Sequence, residues 1–388
     1  MIGLRPRSLA TVLLIAGAMA VVRTELQRTA QARLVLTPTS TIAPRPTRML
    51  PTEALPTPTA LPPTTTAEIA REIDLRLVKL HEGGWFSGVV LVAHAGEVVF
   101  TGSYGLADRA QGRPLTDDTR FYVGQLAEEF TAAAVLILEQ EGKLWVHDPV
   151  CRYLAYCPDG WKGYSIHQLL ATPPSAELPP ESSPGYVASD WERVSDRLPS
   201  RLESNGAAYL AATTVIEQVS GMSYCEFIQE RIFSPLGMAD SGCSDPGEQL
   251  AQGYAAAWYP VLKASQRVPA GAATGVYSTV GDVWRWEQAL LGGRLLDPVT
   301  CSRMFTMHTS LDLQPNSYWG YPYLGYSYGW LVGMERTHRL FRAGGHITGY
   351  SALHIRYDRD QLTIIVLSNH EYSFSPKDAI APLFFGTG

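Results

Sequence analysis

Phe86-Ser87-Gly88-Val89-Val90-Leu91-Val92-Ala93 is followed by His94-Ala95-Gly96 and then by Glu97-Val98-Val99-Phe100-Thr101-Gly102-Ser103-Tyr104. The first run carries no charge, is rich in β-branched residues and is too short for a buried helix, so it reads as a strand. The second run is also β-rich, and the short Gly-containing break between them reads as a hairpin turn. Strand patterns return near the end of the chain, at Tyr326 to Met334, Tyr350 to Tyr357 and Leu362 to Ser368. Strands at both ends around a helical middle imply that the terminal strands share one sheet, with the middle folded over it as a helical lobe. The expected fold is therefore α/β, with a cleft between sheet and lobe.

Outside the strands the pattern is helical. Thr65 and Glu68 have capping-box spacing, and Ile69, Ile73, Leu77 and Leu80 recur at helical intervals until Gly83-Gly84. A long helix is predicted from about Gln125 to Glu141, with Phe130, Ala133, Ala134, Ile137 and Leu138 on one face and Gly142 ending it. Ile166–Leu170, Ala207–Ser220, Tyr224–Phe233 and Val280–Leu291 are the remaining helical segments.

The chain has 388 residues, 46% hydrophobic and 18% charged, enough apolar material for a large core. Its net charge is −6 and its basic residues are scattered singly, which excludes a nucleic-acid partner on electrostatic grounds. Residues 1–23 contain Arg5 and Arg7, then an uncharged apolar run from Ser8 to Val22 that stops at Arg23. As a helix this run is shorter than the ~30 Å hydrocarbon layer, and Ala18-Met19-Ala20 offers a cleavage site. A cleaved signal peptide and an uncleaved anchor that meets the membrane both stay open, and either one exports the chain. Residues 24–66 form a tether: Thr37 to Thr66 holds 8 prolines and 10 threonines, a composition that favours extended backbone over a core. Residues 67–388 are the folded domain.

Five cysteines leave an odd thiol. Cys151 and Cys157 are close enough to bridge locally, while the pairing of Cys225, Cys243 and Cys301 is open. No Cys-x-x-Cys and no His pair at i, i+4 occurs, so neither a metal nor any other cofactor is expected.

From Ala67 to Asn369 the sequence resembles the serine β-lactamase-like superfamily, in the branch of class C β-lactamases, D-alanyl-D-alanine carboxypeptidases and related esterases. The resemblance is carried by Phe86–Val92, Tyr104-Gly105-Leu106-Ala107-Asp108 and Phe130-Thr131-Ala132-Ala133. It continues in Glu230-Arg231-Ile232-Phe233-Ser234-Pro235-Leu236-Gly237-Met238 and in Gly275–Asp282. Tyr326-Ser327-Tyr328-Gly329-Trp330, Gly349-Tyr350 and Val366-Leu367-Ser368-Asn369 complete it. It implies a β-lactamase/transpeptidase-like fold, an antiparallel sheet flanked by helices with an inserted helical lobe.

The resemblance also implies a Ser-x-x-Lys acylation motif, a Tyr-x-Asn proton shuttle and a Lys/His-x-Gly strand. Each is altered here. Aligned on Gly124 and Phe130, the serine position is Gln125 and the lysine position is Glu128; the second motif reads Glu203-Ser204-Asn205; the third reads Ala343-Gly344-Gly345, followed by His346. None of the five lysines has a serine three residues before it. An amide is a poor nucleophile, and carboxylates with reference pKa near 4.3 are anions where an amine and a phenol of pKa about 10 are needed. No catalytic residue is therefore expected, and a serine-hydrolase-family pseudoenzyme is.

Gln125, Glu128, Glu203, Asn205, Gly344, Gly345 and His346 would then line a binding cleft for a small molecule or peptide. With two carboxylates gained and a basic group lost, that ligand should be neutral or cationic. The alternatives are a hydrolase with relocated chemistry, such as a Glu128/Glu203 acid and base pair, and an interaction module that does not use the cleft. Against the carboxylate pair stands the reading of both glutamates as a solvated remnant of the old site, salt-bridged to Arg342.

Overall fold

In a computed structural model of the chain, the described residues are 65–157, 159–173, 205–255, 262–263, 275–311, 323–371 and 375–385. The apolar leader, most of the proline- and threonine-rich segment and Glu203 lie outside them. Thr65 caps helix α1 (Thr66–Glu82) with the reciprocal bonds to Glu68 that the spacing predicts. Strand β1 (Gly88–His94) and strand β2 (Glu97–Tyr104) are joined by Ala95 and Gly96, both at positive φ, 52° and 85°. That is the backbone of the two-residue hairpin turn whose twist matches its strands.

Six further strands complete the main sheet: β3 (Thr309–Ser310), β4 (Tyr323–Tyr326), β5 (Leu331–Glu335), β6 (His338–Ile347), β7 (Tyr350–Tyr357) and β8 (Leu362–Ser368). Their order is β2-β1-β8-β7-β6-β5-β4-β3, antiparallel throughout. The terminal strands do share one sheet, because β1 pairs with β8 at Val90↔Val366 and its neighbours. All seven residues of β8 are buried, as its unbroken apolar run requires of a strand covered on both faces.

Period-2 alternation assigns the two covers. On β7, His354 and Arg356 meet Glu287 of the helix Val280–Gly292, whereas Tyr357 packs edge-on against Phe385 near the C-terminus. The helices beyond α1 are α2 (Ala127–Gln140), α3 (Ile166–Leu170), α4 (Asn205–Ser220), α5 (Tyr224–Ile228) and α6 (Val280–Gly292). Phe130 of α2 packs edge-on against both Phe233 and Trp286, tying α2 to the segment after α5 and to α6.

Three departures from the sequence reading have local causes. Tyr326–Met334 is two strands, because Ser327–Trp330 turns with Gly329 at φ 83°. The turn lies so close to α2 that a Cβ on Gly329 would sit 2.9 Å from the Glu129 backbone. The predicted Tyr224–Phe233 helix becomes a π-turn over Gln229–Phe233. Pro235 follows it, with no N–H to close an α-helical bond to Arg231. Strand β6 is not among the strands the residue pattern marks, since Arg342-Ala343-Gly344-Gly345 breaks the apolar alternation; only the resemblance, through its third-motif strand, implies one there. Cys151 pairs with Cys157 as the spacing suggests, Cys225 pairs with Cys243, and Cys301 is a buried free thiol.

Candidate functional site

Gly124, at φ 53°, turns the chain into a short 3-10 turn, Gly124–Leu126, from which α2 continues. Gln125 stands on that turn at the head of the helix, and its side chain lies on β6. A Cβ built on Gly345 would fall 1.8 Å from Gln125 Oε1 and 2.8 Å from Cδ, so the amide occupies the space a side chain at position 345 would need. Gly344 meets a different limit: at φ 124° a Cβ would lie 2.3 Å from the Ala352 carbonyl oxygen of β7. Gln125 and Gly345 are thus brought together. The space between them is filled by the chain itself.

One turn on, Glu128 is only 6% exposed. Tyr326 of β4 donates its phenol hydrogen to Glu128 Oε2 at 2.8 Å. Tyr209 of α4 stands beside Tyr326 and donates to the Leu170 carbonyl at 3.0 Å. Burial first, and the Glu128 carboxylate second, push both phenols well above their ordinary pKa of 10. The expectation of a solvated glutamate paired with Arg342 is therefore not met: Glu128 is a buried acceptor, and Arg342 donates to Tyr323 Oη at 3.0 Å. Sequence reasoning passed over both phenols. Tyr326 was read only as a marker of the fold, and Tyr209 stands four residues past Asn205 with no signal of its own.

Asn205 is the first residue of α4, while Glu203 lies outside the described residues. Ala343 is buried on β6 opposite His354. His346 is half-buried, and burial holds its imidazole below the usual histidine pKa although Glu371 acts the other way. It is neutral at pH 7.

Glu129 turns about 100° from Glu128 around the helix and enters a closed ionic cluster. His354 Nδ1 is 3.2 Å from Glu129 Oε1, and its Nε2 is 3.5 Å from Glu287 Oε2. Arg356 Nε approaches Glu287 Oε1 at 3.6 Å, and Thr363 donates to the same oxygen at 3.3 Å. All of Glu129, Glu287 and His354 are fully buried. Burial alone would lower His354, but the two carboxylates outweigh it and raise the imidazole to about 9. Glu287, which faces both His354 and Arg356, is held below the usual carboxylate pKa, whereas burial dominates at Glu129 and raises it. This cluster braces the underside of α2 against the sheet and has no access to a ligand.

The remaining hydrogen-bonded histidines do not complete a serine triad. His338 meets Asp360, His167 meets Tyr328, and His81 and His308 meet main-chain carbonyls. Among the described residues, no group of three or more His, Cys, Asp or Glu side chains is placed to hold a metal ion. Among them, too, no helix is long and apolar enough to cross a membrane.

The family model described as Beta-lactamase matches residues 74–384. Penicillin-binding protein 4* of Bacillus subtilis (strain 168) is 26% identical over 342 residues, covering 78% of this chain and 72% of its own. Teichoic acid D-alanine hydrolase of Staphylococcus aureus is 27% identical over 188 residues, 46% of this chain and 47% of its own. Among solved structures, the penicillin binding protein from Bacillus halodurans superimposes with TM-score 0.66 at 23% identity, covering 79% of this chain and 98% of that one.

Proposed function

This chain belongs to the Beta-lactamase family, and we propose that it is a catalytically inactive member of it, exported and tethered, with a binding role in the cell envelope. The observation that carries the reading is Gln125. An unreactive amide stands where the family's acylated serine would be, and it is packed onto Gly345 so that the space for an acyl group is taken. Glu128 supports it, because the position of the general-base lysine holds a buried carboxylate already engaged by Tyr326. Ala343, an apolar side chain in the third motif, supplies no charge to hold a substrate carboxylate. Losing nucleophile and base together removes acyl transfer rather than slowing it.

Export is supported by the leader pattern, by two disulfides, which persist in oxidising compartments, and by the envelope proteins among the relatives. A ligand taken up beside Gln125 would be neutral or cationic, since a carboxylate has replaced an ammonium group at position 128. Incubating the full chain with a fluorescent penicillin and with a fluorophosphonate tests inactivity. No covalent label is expected; an adduct mapped to any residue overturns the reading.

A further inference from the structure

Away from Gln125, the last turn of α1, the start of β1, the end of β2 and His370 beyond β8 enclose a cavity of about 380 Å³. Since β1 lies three strand spacings from β6 in the sheet order, the cavity and Gly345 are separated by roughly 14 Å across the sheet. It has room for about a dozen water volumes, and its walls divide by chemistry. Trp85, 65% exposed, and Leu106, 38% exposed, give an apolar side with Phe86 behind them. Arg109, His81, His370 and the Ser87 hydroxyl give the polar side. None of the lining residues is acidic.

The polar wall is built on a rigid base. Buried Asn369 donates to the carbonyls of Leu106 and Gln252, both at 3.0 Å, and accepts from Ser87 Oγ at 3.2 Å. Arg109 is fixed beside it. Its main-chain N–H donates to Tyr254 Oη at 2.7 Å, and its guanidinium carbon lies 4.4 Å from the centre of the Tyr254 ring. Tyr254 is itself held through its own N–H by the carbonyls of Gly349 and Asn369. Among the described residues no carboxylate pairs with the Arg109 guanidinium, although the chain carries a net charge of −6. His81 Nδ1 is 2.9 Å from the Phe86 carbonyl oxygen, which fixes the proton there and leaves Nε2 as the second nitrogen.

We infer that this cavity is a binding site for a small ring-bearing organic anion, whose carboxylate or phosphate pairs with Arg109 while its ring covers Trp85. An arginine fork suits either headgroup, since both accept two parallel N–H bonds. An exposed indole gains by being covered, and stacking a ring on it adds to the area term. The Asn369 knot and the Tyr254 ring hold the cationic wall in place before a ligand arrives, which lowers the ordering cost of binding.

Calorimetric titration of the full chain with phenylacetate, phenyl phosphate and glucuronate, and with benzyl alcohol as the uncharged counterpart, tests the site. At least one of the anions is expected to bind at millimolar concentration or tighter while the alcohol does not. The stronger of phenylacetate and phenyl phosphate identifies the headgroup. Arg109→Gln and Trp85→Ala are each expected to weaken that binding about ten-fold or more without moving the thermal midpoint, because both side chains are exposed. Binding that survives Arg109→Gln, equal binding of benzyl alcohol, or no binding of any of the three anions overturns the inference. None of these outcomes bears on acyl labelling at Gln125.

Discussion

Replacing His354 with phenylalanine removes the only imidazole between Glu129 and Glu287 while keeping a ring of similar shape. Glu287 keeps Arg356 at 3.6 Å and Thr363 at 3.3 Å, but Glu129 loses the cation 3.2 Å from its carboxylate. Breaking a buried pair by deleting one partner costs about 3–5 kcal/mol. At roughly 2–4 °C per kcal/mol for a domain of this size, the thermal midpoint should fall by about 6 °C or more. The pH dependence is more diagnostic. His354 is raised from 6.5 to about 9 in the fold, so between those values the native state holds a proton the unfolded chain has lost. Its stabilisation is complete below pH 6.5 and is lost as pH rises through 9, a change on the order of 3 kcal/mol. His167, His308, His346 and His370 are all lowered by burial and act in the opposite sense, withdrawing stability as pH falls below 6.5. The two windows do not overlap. Urea unfolding followed from pH 5 to 10 should show a wild-type decline between 6.5 and 9 that is absent in His354→Phe. If the variant does not fold, Glu129→Gln keeps the shape, lowers His354 and should shrink the same decline. Parallel wild-type and variant curves across that window, or a cost for His354→Phe under about 1 kcal/mol, would refute the assignment of charge to this cluster.

Asn369→Ala leaves the Leu106 and Gln252 carbonyls and the Ser87 hydroxyl without their partner; a loss of about 2–4 kcal/mol is expected in denaturant unfolding. Replacing Cys225 and Cys243 together by serine opens a link spanning 18 residues and should cost about 3 kcal/mol. Alkylation of the unfolded, unreduced chain should label Cys301 alone by mass spectrometry. Gly345→Ala drives a methyl group into Gln125 Oε1 and should cost about 1–3 kcal/mol, falling toward zero in a Gln125→Ser background. Additive costs in that double-mutant cycle would mean that the two side chains do not touch.

Among the strands legible in the sequence, β7 and β8 are buried along most of their length. β7 and β8 fall at the residues their apolar runs mark, because a strand covered on both faces needs no alternation to be recognised. β6 is invisible to the residue pattern and is implied only by the resemblance. It is half glycine and charge at its centre, and it is a strand only because β5 and β7 pair with it on either side. The altered motif positions were legible through spacing, and Gln125 does meet Gly345. The partners of Glu128 were not, since Tyr209 and Tyr326 come from an inserted helix and an edge-half strand that only the fold brings to α2. Arg109, His81 and His370 are single residues separated by long stretches of chain, and no pattern in one dimension links them.

The replaced motif residues are built into the packing around them. Glu128 is buried, and Tyr326 gives it a hydrogen bond at 2.8 Å with Tyr209 behind that phenol. Gln125 lies where it does because position 345 has no side chain. Gly329 lets the β4–β5 turn rest on the helix backbone next to Glu128, which brings Tyr326 within reach. An unselected relic would be expected to leave its altered side chains in solvent or in conflict with their neighbours, as polar groups without partners are costly inside a fold. Here the amide and the carboxylate are each accommodated by a specific neighbour. On the proposed reading the site is substituted and repacked, and the physical case for a retained role rests on that accommodation more than on the loss of serine and lysine.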